Sequence, residues 1–394
     1  MARIGVYGGT FNPPHLGHIL AAKEFQKNLG LDLVLFIPAA LPPHKVLPPD
    51  TPDAQTRLAL LKLAVEDLPF VQVDDLELHR EGPDYSVDTL RELKRRYPND
   101  KLFLCMGTDM FLSFETWYKA KEICSLAEIA MAQRQSDDPV ALHAQARAIR
   151  QKFGTTPVII SNEFLEVSST TVRRMLILGG AQAYLPEKVL HEIRNRGLYG
   201  TDRNRKNLPF DQLKQESLAL HNEKRIPHVI GCSGTAVELA KKFGADPVDA
   251  ARAGILHDVT KALVGVDQLH LCSEYGIIIS DFERENTKLL HSVTGGAVAK
   301  HVFGESDAVS QAIWWHTSGK ANMTTLEKII YVADYMEPNR DFPGVEKLRR
   351  LAYTDLDAAL LLGLEMTQDH LKNQGAPMGK NSIDAIAFLK QKKG

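Results

Sequence analysis

The stretch Gly8-Gly9-Thr10-Phe11-Asn12-Pro13-Pro14-His15-Leu16-Gly17-His18 restricts what this chain can fold into more than any other. It follows the apolar run Ile4-Gly5-Val6-Tyr7 and leads into a segment of helical periodicity that stops at Gly30. Strand, glycine turn and helix start are therefore expected in that order. Backbone amides at such a turn face anions. Two histidines three residues apart on a first helical turn share a face, which sets two imidazoles beside a docked phosphate.

The alternation continues downstream. Residues 33–37 are continuously apolar, as in a parallel strand covered on both faces. A loop, Pro38-Ala39-Ala40-Leu41-Pro42-Pro43-His44-Lys45, follows. Residues 58–65 read as a helix with Pro52 in its first turn, and 70–73 as a strand. Tyr85-Ser86-Val87-Asp88-Thr89-Leu90 opens another helix with Ser86 as N-cap. Strands are expected at 102–106, 129–132 and 158–160. The pattern predicts an α/β doubly wound, Rossmann-like domain over residues 1–200. Ligands of such sheets sit outside the carboxyl ends of the strands, here Gly8 to His18, Pro42 to Lys45, Gly107-Thr108-Asp109 and Gln133-Arg134.

The chain has 394 residues, enough for two cores. Its 47 basic and 49 acidic residues give no surplus for nucleic acid or an anionic membrane, so a small charged metabolite fits better. Met1-Ala2-Arg3 runs straight into the first strand and no apolar run approaches a membrane span, so a cytoplasmic location is expected. Cys105, Cys124, Cys232 and Cys272 lie far apart with no C-x-x-C spacing, the mark of reduced thiols.

Val167-Ser168-Ser169-Thr170-Thr171-Val172-Arg173 places hydroxyls at a helix start and a base on its first turn, suited either to a helix cap or to the outer phosphates of a triphosphate. The first stretch resembles the H-x-G-H signature of the nucleotidyltransferase superfamily, and this one its second signature, I-S-S-T-x-x-R, with Val167 for Ile. Together with P-P-H-K at Pro42 to Lys45, Y-S-x-D-T-L at Tyr85 to Leu90, G-T-D at Gly107 to Asp109 and F-x-x-W at Phe114 to Trp117, the half resembles nicotinate mononucleotide adenylyltransferases. Asn12 stands where an acid is frequent in that family.

The resemblance implies transfer of the adenylyl group of ATP, with Mg²⁺, to nicotinate mononucleotide. It implies catalytic roles for His15, His18, Lys45 and Arg173, with His18 on the α-phosphate. ATP would meet Gly8, Gly9, Thr10, Phe11, His15, His18, Gly107, Asp109, Ser168, Ser169, Thr170 and Arg173. The acceptor would meet Lys45, Tyr85, Ser86, Thr89, Trp117 and Arg134. Trp117 offers a face to the pyridine ring or serves the core; Asp109 binds ribose hydroxyls or orients its loop. Nicotinamide mononucleotide or another phosphate acceptor is the alternative substrate.

Residues 201–207 turn polar and read as a linker, after which residues 208–394 are helical in pattern. Asp246-Pro247 starts a helix containing Gly254-Ile255-Leu256-His257-Asp258. Burying His257 beside Asp258 is unfavourable without a partner, and a metal would supply one. His228 precedes them and Asp334 follows the apolar stretch Ile329-Ile330-Tyr331-Val332-Ala333. The order H, H-D, D resembles the HD phosphohydrolase superfamily, which implies that His228, His257, Asp258 and Asp334 hold a metal. Nitrogen and oxygen donors without thiolate suit iron, manganese or another divalent ion.

His291 and His316 suggest a second ion, although His291 also suits packing or phosphate. R-x-x-H at Arg225 to His228, H-D-x-x-K at His257 to Lys261, W-H-T-S-G at Trp315 to Gly319 and the run Ala333 to Val345 resemble the branch that splits diadenosine tetraphosphate to two ADP. Lys261, grouped with Asp258 as catalytic, either meets substrate phosphate or is a solvated helix lysine. Arg225 and Arg340 stand in the same position. A nucleotide-sensing module without hydrolysis is the alternative. Neither nucleic acid nor membrane is expected as a partner, and a homo-oligomer stays open.

Overall fold

Six parallel strands form one sheet in the order β3-β2-β1-β4-β5-β6 in a computed structural model that describes residues 1–43, 46–134, 137–161 and 167–393. They are β1 (Arg3–Gly9), β2 (Leu33–Pro38), β3 (Val71–Val73), β4 (Lys101–Gly107), β5 (Glu128–Gln133) and β6 (Val158–Ser161). The connecting helices are α1 (Leu16–Leu29), α2 (Ala54–Val65), α3 (Ser86–Arg96), α4 (Thr108–Leu112), α5 (Ala120–Leu126), α6 (Pro139–Phe153), α7 (Ser169–Leu178) and α8 (Glu187–Asn195). Each strand sends alternate side chains to opposite faces. Ile4, Val6, Leu104 and Met106 join one core with Val87, Leu90 and Phe111, whereas Val34, Phe36, Phe103 and Cys105 join the other with Ala22 and Phe25. The doubly wound expectation holds, and the strand order reverses between β1 and β4. Gly9 and Gly107 end those two strands.

Helix starts differ locally from the sequence reading. His15 is the N-cap of α1 rather than a helical residue, because its φ of −144° is extended. Asp53 caps α2 by accepting the Thr56 amide at 2.6 Å, which leaves Pro52 outside. Tyr85 is the N-cap of α3 and Ser86 its first residue, with no side-chain cap bond. Gly30 does end α1, in the left-handed region at φ 57°.

The chain divides into two compact units, Met1–Ile177 with Ala181–Arg203, and Asn204–Gly394 with Leu178–Gly180. The second holds no strand among the described residues. Its helices are α9 (Phe210–Ala219), α10 (Ile226–Phe243), α11 (Pro247–Leu256), α12 (Gly265–Glu274), α13 (Asp281–Glu285), α14 (Leu290–His301), α15 (Asp307–Trp315), α16 (Thr325–Met336), α17 (Val345–Ala352), α18 (Leu356–Asn373) and α19 (Lys380–Lys393). Asp246 caps α11 and Pro247 opens it, but His257 is that helix's C-cap rather than an interior residue.

Two close helix crossings depend on glycine. A Cβ on Gly254 of α11 would lie 2.6 Å from Ser233 Cα of α10, and one on Gly296 of α14 would lie 2.8 Å from the Ser310 carbonyl of α15. The first crossing draws the helices of His228 and His257 together, the second those of His291 and His316. No helix among the described residues is long and apolar enough to cross a membrane.

Candidate functional sites

At the carboxyl ends of β1 and β4 the first unit opens a cavity of about 560 Å³. Gly8, Gly9, Thr10 and Phe11 line it from the β1 turn, Gly107 and Asp109 from the β4 end, and Ser168, Ser169 and Thr170 from the start of α7. Tyr85, Ser86, Trp117 and Arg134 line it as well. Thus the residues assigned to the two substrates share one chamber, apart from three discussed below.

His15 and His18 both line this chamber, their rings stacked with centroids 3.6 Å apart. The His15 amide donates to His18 Nδ1 at 3.2 Å. A nitrogen that accepts carries no proton, so His18 holds its proton on Nε2, a donor suited to a phosphate oxygen. Burial, His18 and Arg134 press His15 well below the ordinary imidazole range, so it is neutral. The amides of the first turn of α1 are partly committed: Leu16 donates to the Tyr184 carbonyl at 2.8 Å and His18 to the His15 carbonyl at 2.9 Å. The start of α1 therefore has fewer uncommitted amides to offer an anion than its sequence suggested.

Gly17 is explained by the same packing. A Cβ there would lie 2.9 Å from Val167 Cγ1 and 3.0 Å from His15 Nδ1. Behind the turn, the fully buried Arg57 donates to the Thr10 carbonyl at 2.6 Å, and Arg173 to the Asn12 carbonyl at 2.6 Å. Those two guanidinium groups hold the loop's carbonyls on the side away from the chamber.

In the second unit, four donor atoms converge. His228 Nε2 lies 3.2 Å from His257 Nε2 and 3.1 Å from Asp334 Oδ1. His257 Nε2 lies 3.4 Å from Asp258 Oδ2 and 3.7 Å from Asp334 Oδ1. Ligands about 2.1 Å from a metal stand about 3.4 Å from one another in a tetrahedral shell, and these spacings match. A second set adjoins it, with His291 Nε2 and His316 Nε2 3.2 Å apart and 3.4 and 3.7 Å from Asp258 Oδ1. Asp258 thus offers one oxygen to each set.

The tautomers agree with metal ligation. Nδ1 of His257, His291 and His316 donates to the carbonyls of Gly254, Lys288 and Ile313 at 2.8, 2.6 and 2.6 Å, and Nδ1 of His228 to Glu337 Oε1 at 3.0 Å. All four Nε2 lone pairs then point inward, two facing pairs only 3.2 Å apart. Such pairs repel unless a proton or a metal ion lies between them. Asp258 Oδ1 is buried without a hydrogen-bond partner, which a second cation would remedy. The donors present fit a divalent ion at the first set and accommodate another at the second.

Cations rim the centre. Arg225 Nε donates to Asp258 Oδ2 at 2.7 Å and Arg340 Nη2 to Asp334 Oδ1 at 2.6 Å. Lys261 Nζ sits 3.0 Å from His291 Nε2, and burial pulls its pKa down. Burial, Lys261 and His316 hold His291 down to about 3, so it stays neutral. Thr317 Oγ1 lies 3.2 Å from His291 Nε2 and 3.1 Å from His316 Nε2, a neighbour that the W-H-T-S-G string contained but did not assign.

Residues 6–175 match the cytidylyltransferase-like family and residues 225–339 the HD domain family. The nicotinate-nucleotide adenylyltransferase of Bacillus subtilis is 38% identical over 203 residues, which cover 50% of this chain and 99% of that protein. A probable nicotinate-nucleotide adenylyltransferase of Geobacter metallireducens is 38% identical over 216 residues, 51% of this chain and 100% of that one. The chain belongs to the nicotinate-nucleotide adenylyltransferase family. That half is joined to an HD domain. A crystal structure from Clostridium acetobutylicum, described as a predicted HD superfamily hydrolase involved in NAD metabolism, shares 37% identity over 47% of this chain and 98% of its own, with a TM-score of 0.46.

Two residues assigned to substrates in the adenylyltransferase half do not line the chamber, and a third, Lys45, lies outside the described residues. Thr89 is buried and donates its hydroxyl to Glu77, and Arg173 spends its guanidinium on Asn12 and on Thr170 Oγ1. Asp109 is mostly exposed and 3.7 Å from Arg134, a loose surface pair.

Two acids that line the chamber went unnoticed in the sequence. Burial pushes Glu77 up to about 7, while Asp84, also raised by burial, accepts the Leu41 amide at 2.6 Å. Both precede the Y-S-x-D-T-L string, Glu77 in a single 3-10 turn and Asp84 directly before Tyr85, and no periodicity marks a buried acid in so short a segment.

Proposed function

We propose that this chain is a bifunctional enzyme acting on two small nucleotide substrates. Its first domain, residues 1–200, transfers an adenylyl group from ATP to nicotinate mononucleotide. An oxygen of the acceptor's 5′-phosphate bonds to the α-phosphorus as the bond from that phosphorus to the β-bridging oxygen breaks, and pyrophosphate leaves with the Mg²⁺ that entered with ATP. No covalent nucleophile is needed; positioning and charge stabilisation suffice. The observation that carries this reading is the His15–His18 pair, which leaves His18 an Nε2–H donor in the chamber. Trp117 offers the pyridine ring a flat face, and the Tyr85-Ser86 start of α3 receives its carboxylate. Nicotinate is favoured over its amide by the family relationship.

After a linker at residues 201–207, the HD domain hydrolyses dinucleoside tetraphosphates such as diadenosine tetraphosphate symmetrically. Water adds to one inner phosphorus, the central bridging bond breaks, and two ADP leave. A divalent ion, iron or manganese by the nitrogen and oxygen donor set, would be held by His228, His257, Asp258 and Asp334 and would supply Lewis acidity. Arg225, Arg340 and Lys261 stand where cations neutralise a polyphosphate, and each now touches an anion or imidazole that an ion would engage instead.

Both reactions are to be assayed on wild type, His18→Ala and Asp258→Ala. His18→Ala is expected to lose adenylyl transfer by about 100-fold or more and keep hydrolysis; Asp258→Ala is expected to do the reverse. Transfer by His18→Ala within threefold of wild type would refute the first assignment. Metal-loaded protein that binds diadenosine tetraphosphate without cleaving it would make the second domain a sensor.

A further inference from the structure

The four inward-facing histidines differ in what fixes them. His257 and His316 are the C-caps of α11 and α15, and each donates Nδ1–H to the carbonyl three residues back. His291, the second residue of α14, likewise reaches the carbonyl three residues back, that of Lys288. His228 is the third residue of α10, and the acceptor of its Nδ1 is a side chain rather than a backbone carbonyl. Its acceptor is imported: Glu337, the C-cap of α16, reaches it with Oε1 at 3.0 Å.

That carboxylate is itself fixed. Glu337 is 1% exposed. Its Oε2 accepts the amide and the side-chain Nδ2 of Asn339, both at 2.8 Å, and its backbone carbonyl accepts from Arg349 at 2.9 Å. Asn339 Nδ2 is also 3.1 Å from the Pro227 carbonyl, beside His228. Gly231, one turn along α10, makes the room, since a Cβ there would lie 2.3 Å from Glu337 Oε2. Glycine, glutamate and asparagine thus form a built socket for one histidine, where the other three manage with a backbone carbonyl.

A carboxylate behind an imidazole makes it a stronger donor than a neutral carbonyl does. The first set also has two carboxylate oxygens, from Asp258 and Asp334, whereas the second has one and faces the Lys261 ammonium. Resting on the metal-centre reading above, we propose that Glu337 is a positioning residue that makes the two metal positions unequal. The position built on His228 fills first and retains its ion; the position built on His291 and His316 exchanges freely.

The test is a Mn²⁺ titration of chelator-stripped full-length protein, read as free Mn²⁺ by electron paramagnetic resonance. Wild type is expected to bind two ions in separate steps. His316→Ala should remove only the weaker step. Glu337→Gln, which keeps an acceptor oxygen but loses the charge, should weaken only the tighter step, by about 10- to 100-fold. Gly231→Ala, which displaces Glu337 without changing any charge, should weaken the same step. Adenylyl transfer and circular dichroism check that each variant is folded. A tighter step that moves less than threefold in Glu337→Gln, or two steps that weaken equally, overturns the proposal alone. A single ion per chain likewise overturns the inequality. Wild type that binds no Mn²⁺ overturns the metal-centre reading with it.

Discussion

Gly17→Ala tests why a glycine stands between the two histidines of the first domain. The added methyl would lie 2.9 Å from Val167 Cγ1, 3.0 Å from His15 Nδ1 and 3.1 Å from His15 Cε1. Those approaches are roughly 0.5–1 Å short of ordinary contact. The backbone of α1 does not yield cheaply, so the His15 ring has to turn, and it already stacks at 3.6 Å on His18. Overpacking of this kind costs about 1–3 kcal/mol, or about 2–4 °C of melting temperature per kcal/mol in a domain of this size. The catalytic consequence is larger. A reacting group displaced by about 1 Å loses about 100-fold in rate, so displacement by part of that should lower kcat for adenylyl transfer about 10- to 100-fold. The assay is pyrophosphate release under saturating ATP and acceptor, with hydrolysis by the HD domain of the same preparation as internal control. Transfer within threefold of wild type, with an unchanged melting temperature, would mean that the wall relaxes at Val167 and that His15 does not require the glycine.

Glu77 gives a pH prediction with a definite sign. Its folded pKa, about 7, lies above its ordinary value of 4.5, so its contribution to stability is complete below about pH 4.5 and is lost as pH rises through 7. The loss amounts to about 3 kcal/mol, and in Glu77→Gln it should vanish, so the variant's melting temperature should gain on wild type between pH 5 and 8. A difference that grows as pH falls would contradict the burial argument. Trp117→Ala should raise KM for the acceptor about 10-fold with KM for ATP unchanged, whereas Trp117→Phe, which keeps a flat face, should lie near wild type. An equal loss in both variants, or a change in KM for ATP, would assign Trp117 to the core beside Phe114 instead.

The first domain was legible because its signals are local. Residues 33–37 are apolar without interruption, and the structure covers both faces of β2, with Val34 and Phe36 in one core and Leu35 and Ile37 in the other. Gly30 ended its helix as expected, with a positive φ. Cap positions were less legible. His15 and His257 were read as helical residues and are caps, whereas Ser86 was read as a cap and is the first residue of its helix, because a cap is set by one residue's dihedral angles and by a partner distant in sequence. Thr89 and Arg173 illustrate the same point at the level of side chains. Their types suit a substrate site, but Glu77 takes the hydroxyl of the one and the Asn12 carbonyl takes the guanidinium of the other.

At the HD centre the donors could be read from the sequence and their supports could not. His228, His257, Asp258 and Asp334 stand out because imidazole and carboxylate inside apolar helices need a reason to be there. Glu337 lay in plain view in the run Ala333 to Val345, yet an acid at a helix end usually has no such reason, and nothing local tied it to a histidine 109 residues away. What links them is a contact between helices. The other three histidines take their Nδ1 acceptor from the carbonyl three residues back, whereas His228 takes the Glu337 carboxylate of another helix. A side chain whose acceptor comes from another helix needs a clear path to it, and any residue on that path must be small. That reasoning leads from His228 to Glu337 and from Glu337 to Gly231, a glycine whose helical conformation gives it no reason to be one.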